Sequence, residues 1–261
     1  MSIITLTTDF GAGSVYVAAM KGVILSLCPS AVIIDISHEI PPQDVRRAAR
    51  VLCEAAQWFP PQTLHVAVVD PEVGTDRAIV YAEIGGQRFL APDNGLLSLL
   101  AAKTPPTKLI RLAEHSYWLE PVSPTFQGRD IMAPVAARLA SGLAPELLGP
   151  PWPELKTIDW PKPHESPHCI KGEIVEIDHF GNLITNIGAE MLAGRLTDRR
   201  VRVQCGQYET WSIYRTYADR PRGTLIALIG SGNRLELALV GDNAAHRLGV
   251  GLGTPVTLFW E

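Results

Sequence analysis

The stretch Val68-Val69-Asp70-Pro71-Glu72-Val73-Gly74-Thr75-Asp76-Arg77 sets an acid and a base seven residues apart across a glycine-bearing loop. The run from Leu64 to Val69, apolar except for His65, reads as a buried strand. Pro71 stops it, because proline brings no ladder donor and restricts the residue before it. Asp70 therefore stands just past the carboxyl end of a strand, where open α/β sheets bind ligands. Arg77 can fold back over Gly74 to pair with it, which by itself describes a surface salt bridge closing a loop. Company favours chemistry: Thr8-Asp9-Phe10-Gly11 and Ala91-Pro92-Asp93-Asn94-Gly95 also carry acids at strand ends. Three such acids point to a small-molecule site, and one version of it is a metal-dependent hydrolase on Asp9, Asp70 and Asp93. Asp9 has two readings on its own chemistry. An acid after the first strand repels phosphate but accepts hydrogen bonds from a ribose diol; it also serves as an N-cap or turn residue.

The elements that must position these residues follow from the apolar pattern. Ile3 to Thr7 reads as a strand, and Val15 to Leu27 as a helix after Gly11 and Gly13. Ala31 to Ile36 reads as a strand ending at Ser37-His38-Glu39, followed by a helix from about Gln43 to Trp58. Ala78 to Ile84 and Gln87 to Leu90 form a hairpin about Gly85-Gly86. A short helix, Leu96 to Ala102, a strand, Thr107 to Leu112, and a helix from about Ile131 to Ser141 follow. Strands alternating with helices predict a mostly parallel sheet covered on both faces.

Residues 143–168 are rich in proline and lack periodicity, which reads as an extended connection. Beyond it the pattern is all β. Strands are expected at Ile170 to Ile177, Leu183 to Ile187, Arg200 to Cys205, Glu209 to Ile213, Thr224 to Ile229, Arg234 to Leu239 and Pro255 to Trp260, with a short helix at Asn243 to Leu248. The fold class is thus an α/β N-terminal domain, residues 1–160, a linker, 161–169, and a smaller all-β, barrel-like C-terminal domain, 170–261.

With 261 residues, 46% hydrophobic and 19% charged, the chain can bury a sizeable core. A net charge of -4 argues against a general nucleic-acid binder. No apolar run approaches the ~18 residues of a membrane span, and the first residues read as a strand, not a signal peptide. Cys28, Cys53, Cys169 and Cys205 are widely spaced, as in a cytoplasmic protein with incidental thiols, and do not suggest a zinc site.

Six segments stand in an order that resembles one family: Thr7-Thr8-Asp9-Phe10-Gly11; Asp35-Ile36-Ser37-His38-Glu39-Ile40-Pro41-Pro42; Val69-Asp70-Pro71-x-Val73-Gly74-Thr75-x-Arg77; Ala91-Pro92-Asp93-Asn94-Gly95; Thr125-Phe126-x-Gly128-Arg129-Asp130; and Asp178-His179-Phe180-Gly181-Asn182-x-x-Thr185-Asn186. The chain is similar to the S-adenosyl-L-methionine hydroxide adenosyltransferases, relatives of the 5′-fluorinase and 5′-chlorinase, over nearly its whole length. The resemblance implies an α/β domain with a C-terminal β-barrel and a homotrimer with sites between subunits. It implies that water or hydroxide attacks C5′ of S-adenosylmethionine and expels methionine, leaving adenosine, without a metal or other cofactor. The leaving group is a neutral thioether, so no acid is needed; a positioned, desolvated oxygen nucleophile is.

By the same resemblance Asp70 and Arg77 occupy the catalytic acid and its partner position. Gln127 stands where the hydroxide-using members carry histidine, and glutamine cannot take a proton near neutral pH. Gly128 lies in the loop whose backbone faces the nucleophile. Asp9 matches the ribose ligand, Tyr217 the aromatic on adenine, Asn182 an adenine-binding amide, Asp178 the acceptor for the methionine ammonium, and Ser231 the donor to its carboxylate. Gln43 replaces an aromatic of the fluorinase and Gly232 replaces an arginine. Asp93, Asn94, Arg129 and Asp130 are expected to hold the strand-end loops. Two further readings remain beside hydrolysis. One is a protein that binds S-adenosylmethionine or adenosine without turnover. The other is a halide-using enzyme, opposed by the anionic Asp70.

Overall fold

The computed structural model describes residues 2–193 and 201–260. The chain divides into two compact units, Met1–Ile158 and Asp159–Glu261.

In the first unit, β1 (Ile3–Thr8), β2 (Val32–Ser37), β3 (Leu64–Val68), β4 (Ile79–Ile84), β5 (Gln87–Pro92) and β6 (Lys108–Arg111) form one sheet in the order β2-β1-β3-β5-β4-β6. The expected mostly parallel sheet is corrected to a mixed one. β1 runs parallel to β2 and β3, and β3 to β5, but β4 is antiparallel to both β5 and β6. The tight Gly85-Gly86 turn, with both glycines at positive φ, reverses the chain, so that β5 joins the parallel strands beside β3 and β4 lies antiparallel on its outer side.

Helix α1 (Val15–Leu27) and α4 (Ala133–Ala140) cover one face, and α2 (Val45–Ala56) with α3 (Ser98–Lys103) the other. β3 shows why its sequence is almost all apolar: Leu64, Val66 and Val68 pack on the first face, Ala67 and the following Val69 on the second. Ser14 caps α1 by accepting from the Tyr16 amide. Asp44 caps α2, so that helix starts at Val45, with Gln43 outside it at φ 65°. The helix expected from Ile131 opens earlier, with a single π turn at Gly128–Met132 leading into α4. Part of the proline-rich stretch packs on this unit: Leu148 is fully buried, and Trp152 donates its amide to Leu109.

The second unit is a nine-stranded sheet built from β7 (His164–Ser166), β8 (Cys169–Ile177), β9 (Leu183–Gly188), β10 (Val201–Cys205), β11 (Tyr208–Trp211), β12 (Ile213–Tyr214), β13 (Leu225–Ile229), β14 (Arg234–Leu239) and β15 (Pro255–Trp260). Its path is β11-β10-β15-β8-β9-β14-β13-β12, with β7 paired to β8 inside the stretch read as linker. The sheet curls until Thr210 of β11 donates to the Leu225 carbonyl of β13 at 2.7 Å, a nearly closed barrel. Ile170, Leu183, Val203, Leu235, Leu237 and Leu258 are among the residues that fill it. The short α5 (Ala244–Leu248) is capped by Asn243. Arg200, the expected start of β10, lies outside the described residues.

Candidate active site

Consecutive strands lie on opposite sides of β1: β2 on one, β3 on the other. The gap between the carboxyl ends of β1 and β3 is therefore the topological switch point of the sheet, the place where such folds bind ligands. Thr8 is in register with Val68, so Asp9 and Asp70 follow the ends of two neighbouring strands, offset by one residue.

Asp70 and Arg77 form the pair that their spacing allows. Arg77 donates to Asp70 Oδ2 through Nε at 2.8 Å and again through Nη2. The 70–77 loop is held by its own bonds, the Thr75 hydroxyl donating to the Glu72 carbonyl and accepting from the Arg77 amide. The side chains of Arg77 and Asp70 are only 3% and 8% exposed, so this is not a solvated surface bridge. Arg77 Nη2 also donates to Gln127 Oε1 at 2.6 Å. A guanidinium has no acceptor, so Gln127 must turn its carbonyl to Arg77 and direct its NH2 elsewhere. Gly128 follows, packed on β3: a Cβ there would lie 3.3 Å from both Val68 and Met20.

Asp9 is half-buried, and its Oδ2 accepts from the Gln43 amide at 2.8 Å. It does not cap α1; Ser14 does. The turn after β1 is fixed by Gly11 donating to the His38 carbonyl and by the Thr8 hydroxyl meeting His38 Nδ1 at 2.9 Å.

Asp93, Asn94, Arg129 and Asp130 hold loops. Asp93 accepts from Trp152 Nε1 and the Lys156 amide, and Asn94 donates to the Val69 carbonyl. Asp130 accepts from the Ser123 amide and pairs with Arg129. Burial would raise the Asp130 pKa, but the bond and charge of Arg129 and the Ser123 amide hold it below the usual carboxylate range. Asp9, Asp70 and Asp93 each have a different protein partner, and no group of three or more metal-binding side chains gathers among the described residues.

In the second unit, Asp178, Asn182 and Tyr217 come together. Asp178 accepts from the amides of Phe180 and Asn182 and from Asn182 Nδ2 at 2.8–2.9 Å. Asn182 Nδ2 also reaches the Tyr217 hydroxyl at 3.5 Å. Tyr217 donates to Glu236 Oε1 at 2.6 Å. Burial pushes the Tyr217 phenol up, and its bond to Glu236 adds to that; burial and the charge of Asp178 also push Glu236 up, against the Tyr217 bond. Ser231 is exposed in the turn before β14. Glu236 escaped the sequence reading, because Leu235-Glu236-Leu237 alternates like a strand with its acid in solvent.

The two units define the class: an α/β domain with an acid, guanidinium and amide at its switch point, followed by a barrel-like domain carrying an acid, an amide and a phenol. Residues 4–149 match the model of the SAM hydroxide adenosyltransferase N-terminal domain, and residues 172–257 that of the C-terminal domain. The (R)-S-adenosyl-L-methionine hydrolase of Thermus thermophilus is 38% identical, covering 96% of this chain and 97% of its own. The protein of the same name from Methanocaldococcus jannaschii is 37% identical, and the fluorinase of Actinoplanes sp. is 29% identical over 71% of either chain. The crystal structure of an uncharacterized conserved protein from Thermotoga maritima superposes with a TM-score of 0.92 at 35% identity, covering 98% of this chain and 99% of that one. This chain belongs to the SAM hydroxide adenosyltransferase family.

Proposed function

We propose that this chain hydrolyses S-adenosyl-L-methionine to adenosine and L-methionine. The observation that carries the reading is the buried Asp70–Arg77 pair at the switch point, in a chain 36–38% identical to four proteins named (R)-S-adenosyl-L-methionine hydrolase. A water oxygen bonds to C5′ as the C5′–sulfonium bond breaks. Methionine departs as a neutral thioether, and the proton lost by water passes to solvent. Asp70 orients the water as acceptor, Arg77 fixes that carboxylate, and the Gln127 NH2 and the Gly128 backbone border the nucleophile. Asp70 also gives the pocket a carboxylate where a halide would have to enter, which favours oxygen.

Around the substrate, Asp9 takes the ribose hydroxyls, Tyr217 stacks on adenine with Asn182 beside it, Asp178 receives the ammonium and Ser231 the carboxylate. The exposed Ser231 and the partly exposed Tyr217 suit such contacts. No metal or other cofactor enters the step. The active form is a homotrimer with sites between subunits. The four cysteines are free thiols, in keeping with a cytoplasmic enzyme; among the described residues no helix is long and apolar enough to cross a membrane.

Gln127 supports one other reading, a protein that binds the ligand without turnover. Incubation with S-adenosylmethionine in EDTA separates the two. Equal amounts of adenosine and methionine establish the hydrolase. Bound ligand with no methionine over hours establishes the binder, and loss of activity to EDTA overturns the metal-free step.

A further inference from the structure

We propose that Glu236 is a positioning residue that locks Tyr217 and the Ser231 turn into the form that receives S-adenosylmethionine, the ring for adenine and the turn for the methionine carboxylate. The inference rests on the reading that the Asp178–Asn182–Tyr217 cluster binds S-adenosylmethionine.

Side chains alternate along β14. Leu235 and Leu237 fill the barrel, so Glu236 and Ala238 belong to its other face. A glutamate on an outer face belongs in water, yet Glu236 is 6% exposed. Burying a carboxylate is costly unless it is well bonded, so its bonds define its purpose. Oε1 takes the Tyr217 hydroxyl at 2.6 Å. Oε2 lies against Gly230, where a Cβ would sit 2.3 Å from it. Gly230 bonds across the turn to the Arg234 carbonyl, and this turn carries Ser231. One carboxylate thus touches both the aromatic and the serine turn.

Besides the long 3.5 Å contact of Asn182 Nδ2 with its hydroxyl, Tyr217 is held at its backbone. Thr216 and Asp219 form a capping box around the turn Tyr217–Asp219, with Asp219 Oδ2 accepting from the amides of Arg215 and Thr216. The residue as a whole remains 42% exposed. Anchoring its hydroxyl fixes both side-chain torsions and leaves a ring face for a base, so the ordering cost is met before the ligand arrives. Orienting an aromatic and a turn for the ligand acts on binding rather than on the chemical step.

The test compares KM, kcat and melting temperature for Glu236→Leu, Glu236→Gln, Tyr217→Phe and the Leu/Phe double variant. Glu236→Leu and Tyr217→Phe should each raise KM about tenfold with kcat within about threefold, as expected for one lost charge-assisted bond. Glu236→Gln, which keeps an acceptor for the phenol, should recover most of the affinity. The double variant should be no worse than either single one. Additive losses, or an unchanged KM with a lower melting temperature, overturn the proposal and make Glu236 merely structural. If Glu236→Leu does not fold, Tyr217→Phe breaks the same bond from the exposed side, and an unchanged KM there overturns it equally. Should the wild type bind without turnover, the same ratios are read as Kd for S-adenosylmethionine. A wild type that neither binds nor reacts removes the underlying reading and this inference with it, whereas an active wild type with unaffected variants removes the inference alone.

Discussion

Arg77 Nη2 donates to Gln127 Oε1 over 2.6 Å across fifty positions of sequence. The bond fixes the polarity of the glutamine: its carbonyl is engaged, and its NH2 is the group that can meet a nucleophile. That group stabilises oxygen bearing negative charge but cannot remove a proton. Gln127→His should therefore raise kcat, on the order of tenfold or more, by restoring a group that takes a proton. The rate should also acquire a pH limb near the ordinary histidine value of about 6.5, absent from the wild type. A pH–rate profile of both proteins checks this; identical profiles mean that position 127 only shapes the water site.

Asp70 is the acceptor that the chemistry needs, and it is also Arg77's counter-charge. Asp70→Ala should abolish hydrolysis while S-adenosylmethionine binding stays largely intact. It also strands a guanidinium whose side chain is 3% exposed, a cost on the order of 3 kcal/mol in a buried pair. Asp70→Asn is the cleaner variant: it keeps an acceptor for Arg77 and should lose about a hundredfold or more in kcat with little change in Kd. Calorimetric binding beside turnover checks both, and wild-type turnover in either variant removes Asp70 from the mechanism.

Much of the first unit was legible because its apolar runs end on strong punctuation. Val15–Leu27 is the helix that the spacing predicts, and the Asp70–Arg77 pair follows from a proline and a glycine placed between them. Strand direction was not legible in full. The Gly85-Gly86 hairpin already required one antiparallel pair, but that β6 would join the outer side of β4 depends on where α3 returns the chain, which periodicity does not encode. The proline-rich stretch looked unstructured because its anchors are scattered, isolated contacts with no period, such as Trp152 Nε1 on Asp93 and the Arg111 amide on the Pro150 carbonyl. Gln127 joined the pair only through the family resemblance. Glu236 was missed because its cover, Tyr217, comes from nineteen residues away.

Gly74 holds the Asp70–Arg77 loop at φ +85°, and a Cβ there would lie 3.0 Å from the Pro124 carbonyl oxygen. The loops bearing Arg77 and Gln127 approach each other at this point. Gly74→Ala pairs a disfavoured backbone angle with a close contact, so it should cost about 1–3 kcal/mol of stability. It should also lower kcat more than it raises KM, because it shifts Arg77 relative to Gln127. Denaturant unfolding and steady-state kinetics check the two parts; wild-type values in both would mean that the loop adapts freely.

His65, the second residue of β3 and five before Asp70, is fully buried. Its ring stacks on Phe89 at 4.9 Å, meets Phe59 edge-on at 5.5 Å, and shares a 2.7 Å bond with the Thr5 hydroxyl. Burial lowers its pKa to about 4 from the ordinary 6.5. Below pH 6.5 the unfolded chain therefore binds a proton that the folded chain refuses until about pH 4. Stability from this residue is fully present above pH 6.5 and is lost as pH falls through that window, by at most about 3 kcal/mol. Asp35 and Asp130, whose pKa values lie below the ordinary carboxylate value, begin to lose their contributions only at lower pH. Urea unfolding at pH 7 and pH 5 should thus differ by about 2 kcal/mol in the wild type. The difference should shrink in His65→Asn, which keeps an acceptor for Thr5 but does not titrate. Equal pH dependence in the two proteins would show that the acid sensitivity of the fold arises elsewhere.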